Sequence, residues 1–174
     1  MAEIYFSSDT HFNHDNIMEY CKRPFDNIHQ MNAAIIADWN DLVKEGDTVY
    51  FLGDFCFEKK GFDRIQDYIN FLSGHMVFVR GNHDPSKLKG LDSASIKLSG
   101  LDIFMRHIPP VDEEDIPFYP DLILCGHVHE KWKSTKVILF NNMTTPVINV
   151  GVDQWNFRPV NIKTILKEYH KLIK

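Results

Sequence analysis

Seven short apolar runs constrain this chain more than any other feature of its sequence. They are EIYFSS (3–8), DTVYFLGD (47–54), MVFVR (76–80), LDIFMRH (101–107), DLILCGH (121–127), TKVILF (135–140) and PVINVG (146–151). Their length, their Val, Ile and Phe content and their Gly or polar boundaries mark them as strands. Helical patterns separate the first three. In QMNAAIIADWNDLVKE, Met31, Ile35, Ile36, Trp39 and Val43 share one helical face. In FDRIQDYINFLSG, Phe62, Ile65, Ile69 and Leu72 do the same before Gly74 stops the helix. A third helix, NIKTILKEYHKLIK, closes the chain with Asn161 as its N-cap. Strands separated by helices imply parallel pairing through right-handed crossovers, whereas the short connections of the second half suggest antiparallel hairpins. Two mixed sheets packed together, with helices outside, satisfy both halves. The expected fold class is α/β or α+β, in layers.

At 174 residues the chain suits one domain, 1–174, with a sizeable core. No apolar run approaches 18 residues, and the opening MAEIYFSSD lacks a basic leader, so neither a membrane span nor a secretory signal is expected. Cys21, Cys56 and Cys125 are scattered without a CxxC spacing, which fits a reducing, cytoplasmic setting. Acidic residues outnumber basic ones 24 to 19, for a net charge of -5. The nearest approach to a basic stripe, EKWKSTK (130–136), is short and mixed in charge, so no strong nucleic-acid signal is present. No obligate protein partner is evident. Bound divalent cations would reverse the sign locally, so an acidic chain can still take an anionic substrate.

The polar residues at the strand ends carry the chemistry. GNHD, Gly81 to Asp84, reads on its own as a turn. Four other strands end in the same style. The first is followed by Asp9 and His11, the second by Asp54, the fourth by His107 and the fifth by His127 and His129. Each has an ordinary explanation when taken alone: a helix cap with a surface histidine, a turn aspartate, a loop histidine, or a structural zinc shared with Cys125. Together they would be five coincidences at the C-terminal ends of strands, the edge where α/β sheets bind ligands. Residues at i and i+2 of extended chain point the same way, so Asp9 with His11, and His127 with His129, can each share a site. The mixed oxygen and nitrogen donors suit manganese, iron, zinc, nickel or cobalt rather than calcium. They exceed the needs of one tetrahedral ion, whereas two divalent ions sharing a carboxylate would use them all.

In this order DxH, GD, GNHD, H and GHxH resemble the calcineurin-like metallophosphoesterase family, over Asp9 to His129. The ending INVGVDQWNFRPV (148–160) is similar to its small bacterial and phage members. The resemblance implies a four-layer α-β-β-α sandwich. It implies that Asp9, His11 and His129 hold one metal, that Asn82, His107 and His127 hold the other, and that Asp54 bridges them. His83 would face the substrate, with Asp84 orienting its imidazole. The expected activity is hydrolysis of a small nucleotide-like phosphodiester by a bridging hydroxide attacking in line, with manganese the favoured ion. The alternatives are a phosphomonoesterase or nuclease with the same core, or a scaffold of the same fold without catalysis. Asn13, His14 and Arg158 are weaker candidates for substrate contact, beside Trp155. Arg106, where the family often has a small residue before the isolated histidine, and the acidic loop VDEEDIP (111–117) are left without a role. His29, His75 and His170 are read as structural or exposed.

Overall fold

The computed structural model describes residues 2–57, 65–139 and 143–174. Strands β1 (Ile4–Ser7), β2 (Thr48–Leu52) and β3 (His75–Val79) pair in parallel, as helix-separated strands should. Helix α2 (Ile28–Leu42) links the first two and α3 (Ile65–Phe71) the next two; α1 (Ile17–Tyr20) is a single turn ahead of α2. Phe62, read as part of the second helix, lies outside the described residues, as does Phe140.

The two-residue period of these strands sorts their side chains. Tyr5, Val49, Phe51 and Phe78 face α2 and α3, meeting Met31, Ile35 and Trp39. Phe6, Leu52 and Val79 point the other way, into the layer between the sheets. Strand β9 (Val160–Asn161) completes this sheet by pairing antiparallel with β1.

The second sheet has the order β4-β5-β6-β8-β7. It comprises β4 (Ala94–Leu98), β5 (Leu101–Met105), β6 (Leu122–Cys125), β7 (Ser134–Leu139) and β8 (Met143–Asn149). The short connections suggest antiparallel hairpins; β7/β8 is one, and β4/β5 is another whose first strand the apolar runs do not include. The pairs β5/β6 and β6/β8 are parallel, so this sheet is mixed, as two mixed sheets require. Residues 106–121 are long enough to carry the chain back over the sheet, and β7 goes to the edge so that β8 returns beside β6. Pro146 sits in β8 without harm because the ladder to β6 starts only at Val147.

The inner face of this sheet, Ile103, Met105, Leu122, Leu124 and Ile148, packs on Phe6, Leu52 and Val79. Ile162 and Ile165 of α4 (Ile162–Leu172) join the same core. The outer face, with Phe104, Ile123 and Val147, is closed by Ile116, Phe118 and Trp132. The molecule is thus a mixed α/β sandwich of two mixed sheets, with four α-helices among the described residues. The ends of β1, β2 and β3 meet those of β5, β6 and β8 at one edge, where Ser8 bridges to Gly151.

Candidate metal centre

At that edge the backbone turns sharply. Asp9, His11, Asp54, His127 and His129 have φ of 59°, 50°, 56°, 70° and 48°. Left-handed backbone costs a non-glycine residue of the order of 1–3 kcal/mol unless the surroundings impose it, although Asp and His tolerate it better than most. Here neighbouring loops impose it. Asp9, His11 and Phe12 donate their N–H groups to the carbonyls of Gly53, Asp54 and Phe55 at 3.0, 3.1 and 3.0 Å, and the Ser8 hydroxyl donates to Leu52 O at 2.8 Å. The loops after β1 and β2 therefore run zipped together, and their side chains converge.

They converge as two adjacent sets, Asp9 with His11 and His129, and Asp54 with His107 and His127, each offering donor atoms within 4.8 Å of one another. Asp54 Oδ2 lies between them, 3.5 Å from His11 Nε2 and 3.2 Å from His107 Nε2. Asn82 Oδ1 joins the second set, 3.0 Å from His107 Nε2.

Backbone contacts hold these groups. His107 Nδ1 lies 2.7 Å from Leu52 O, and Asp54 Oδ1 accepts from His83 N at 2.9 Å. Asp9 accepts from His127 N with both oxygens, at 3.1 and 3.0 Å. Glycines make room for this packing. A Cβ on Gly81 would collide with Asp54, and one on Gly126 with Ser8 and Asp9.

The donor set fits divalent cations. His107 gives its Nδ1 proton to Leu52 O, so a neutral ring aims the lone pair of Nε2 at Asp54 Oδ2 and Asn82 Oδ1. Three acceptors then face one another, and a proton or a cation must sit among them. His11 Nε2 and Asp54 Oδ2 are buried without a hydrogen-bond partner. Without metal the charges adjust instead. Burial raises Asp9 and drives His11 down to about 2. Burial also pushes Asp54 up, but the His107 imidazole against it and the other nearby imidazoles outweigh it and bring Asp54 to about 2. Burial opposes charge on His107, yet the neighbouring Asp54 and Asp9 carboxylates raise it; His127 is lowered by burial. Cys21 also lies near His129 and Asp153. Burial pushes its thiol up to about 12, however, and both Asp153 oxygens are already engaged, so that third set suits a metal poorly.

The other expected residues divide. His83 is exposed at the rim, its ring 5.9 Å from that of His11. Asp84 does not orient it. Its oxygens accept instead from the backbone N–H groups of Phe55 at 2.8 Å, Asp54 at 2.9 Å and Gly81 at 2.7 Å, tying the β2 and β3 loops together. Three backbone donors converge where the sequence showed only a neighbouring imidazole. Asn13 turns inward, accepting from Tyr68 Oη at 2.7 Å and Asn32 Nδ2 at 3.2 Å, so it braces the loop. His14 stays near the mouth, 5.4 Å from the His11 ring and stacked on Phe57. Arg158 pairs with Asp38 on α2 at 2.7 Å, and Trp155 donates to Asn149 O beneath Lys133, so both are engaged elsewhere. Arg106 and the acidic loop explain each other through an ion pair with Asp115 at 2.6 Å. His29, His75 and His170 are exposed.

Two residues escaped the sequence reading. Arg23 is buried, and its fork holds Asp153 at 2.8 and 2.9 Å while also bonding the carbonyls of Asp9 at 2.7 Å and Thr10 at 2.9 Å. Asp153 Oδ2 in turn lies 3.0 Å from His129 Nδ1. Asp153 follows the end of β8, so the strand-end rule that found the others reaches it as well. Nothing in the sequence marks Arg23.

Residues 3–161 match the calcineurin-like phosphoesterase superfamily domain. The chain is 37% identical over 171 residues to uncharacterized protein MJ1445 of Methanocaldococcus jannaschii, covering 98% of this chain and 93% of that one. Gene 66 protein of Mycobacterium phage L5 is 23% identical over 185 residues, covering 89% of this chain and 88% of its own. Among solved structures, AQ665 of Aquifex aeolicus, a protein of unknown function, superposes with a TM-score of 0.72 and 25% identity, covering 97% of this chain and 100% of its own.

Proposed function

We propose that this chain, which belongs to the calcineurin-like phosphoesterase superfamily, is a phosphodiesterase that hydrolyses a small nucleotide-like diester with two divalent cations, manganese the favoured pair. The observation that carries this reading is Asp54 Oδ2, buried without a hydrogen bond and within 3.5 Å of imidazoles from both sets. Asp9, His11 and His129 would hold one cation, Asn82, His107 and His127 the other, and Asp54 would touch both. When bound, the pair supplies Lewis acidity to the phosphoryl oxygens and lowers the pKa of the attacking water. His83, exposed beside this centre, would donate a proton to the leaving oxygen, a task suited to imidazole near neutrality.

Charge favours a diester over a monoester. The cleft beside Asn82 and His107 has a volume of about 400 Å³ and includes Arg80 and Arg106 in its lining. Arg80 pairs with Asp92 at 3.1 Å and Arg106 with Asp115 at 2.6 Å. Of these, the partly buried Arg106 pair leaves little free positive charge there, which supports a singly charged phosphoryl group over a dianion. The substrate is then small, with no membrane, long nucleic acid or obligate protein partner involved. The three free, buried cysteines are in keeping with a cytoplasmic setting. Among the described residues no helix is long and apolar enough to cross a membrane.

The test is steady-state hydrolysis of an aryl phosphodiester beside its monoester, with manganese returned to metal-stripped protein. Manganese-dependent turnover favouring the diester is expected. Monoester preference would replace this reading with a phosphatase, and absence of turnover of either, with metal bound, would favour the scaffold.

A further inference from the structure

The two sets of donors are not equivalent, and the difference lies behind the histidines. At the second set His107 Nδ1 meets a neutral backbone carbonyl, Leu52 O, at 2.7 Å. At the first set His129 Nδ1 meets a carboxylate, Asp153 Oδ2, at 3.0 Å. A carboxylate behind a ligating imidazole fixes the tautomer that leaves Nε2 free and raises its basicity more than a carbonyl does. The oxygens differ in the same direction. Asp54 Oδ2 faces a histidine of each set, 3.5 Å from His11 Nε2 and 3.2 Å from His107 Nε2, but beside it the first set has the carboxylate of Asp9 and the second only the amide of Asn82.

Arg23 makes the Asp153 contact rigid. Its planar fork takes both Asp153 oxygens, and its remaining donors reach the carbonyls of Asp9 and Thr10. One buried guanidinium thus spans the backbone of one donor and the carboxylate behind another, locking Asp9 against His129. The arginine offsets the long-range charge of Asp153. What Asp153 delivers to His129 is therefore orientation, tautomer and local basicity. Lysine, a point charge without a fork, could not hold both ends in this geometry.

We propose that Arg23 and Asp153 are positioning residues that make the Asp9–His11–His129 set the tighter cation site, so that it fills before the set containing Asn82. This rests on the two-cation reading above. The experiment is calorimetric titration of metal-stripped protein with manganese(II) chloride, with bound metal counted after dialysis. Wild type is expected to take up two ions in two steps. Asp153→Asn is expected to weaken the first step by about 10–100-fold and leave the second in place. Arg23→Lys should weaken the same step by a smaller factor, and it carries the test if Asp153→Asn does not fold. Asn82→Ala identifies the other step by weakening the second alone. A general loss of structure would shift both steps together, and that result, or a shift confined to the second step, or no shift, would overturn the proposal. Wild type that binds no manganese would overturn the two-cation reading and this inference with it, whereas two steps that both variants leave untouched would overturn this inference alone.

Discussion

Adjacent residues of GNHD do different work. His83 is exposed at the rim of the cation centre, whereas Asp84 accepts three backbone N–H groups and fastens the β3 loop to the β2 loop. Their alanine variants should therefore fail differently. His83→Ala is expected to lose about 10²–10⁴ in turnover as a missing proton donor does, with thermal midpoint and metal content unchanged. Asp84→Ala leaves backbone donors unsatisfied at about 1–3 kcal/mol each, so its thermal midpoint and metal uptake should fall together. A midpoint for Asp84→Ala equal to wild type, with turnover alone reduced, would restore the role of orienting His83.

At the scale of elements, caps and turns decide where the chain changes direction. Asn161 closes β9 and caps α4, its Oδ1 accepting from Thr164 N at 2.9 Å. Asn161→Ala should cost about 1 kcal/mol as cap losses do, seen as a midpoint about 2–4 °C lower in a chain of this size. The unread β4 shows how a turn signal can be overlooked. Ala94, Ile96 and Leu98 alternate, and Ser99 and Gly100 then both take positive φ, 53° and 81°, the two-residue turn whose twist suits a hairpin. The signal was present but weak, because Ser95 and Lys97 dilute a strand that is paired on one side only. Helix α1 and β9 are too short for any periodicity to show.

At the scale of the molecule, the edge opposite the metal centre is gathered by Asp47. Its side chain accepts from Glu3 N and Lys44 N, both at 2.8 Å, and its carbonyl accepts from His75 N at 2.8 Å, joining the starts of β1 and β3 to the end of α2. The bonds from Glu3 and Lys44 hold its carboxyl below the ordinary carboxylate value. A folded value below the unfolded one gives stability that is present above the ordinary carboxylate range and is lost as pH falls through the folded value. Asp47→Asn should therefore flatten the acid limb of a plot of thermal midpoint against pH, and an unchanged limb would assign the acid sensitivity elsewhere. Cations that bind only the folded chain add stability as well. At a hundredfold excess over Kd one ion contributes about 2.7 kcal/mol, so chelation should lower the midpoint, and restored manganese should raise it with concentration.

The sequence by itself determined seven of the described strands, the two long helices and the identity of the side chains at the sheet edge, because those follow from local period, from turn chemistry and from the rule that parallel strands present their C-terminal ends together. Asp9, His11, Asp54, Asn82, His107, His127 and His129 could be read as one site for that reason. Only the tertiary structure decided what each polar group touches. Asp84 takes backbone donors of the β2 loop and Asn13 takes Tyr68, partners that lie far off in sequence. Arg23 became the clamp on Asp153 across 130 positions of chain. A hydrogen bond is fixed by position and direction within a few tenths of an ångström. A period along the chain carries that information to the face of a strand, but not to the partner that waits there.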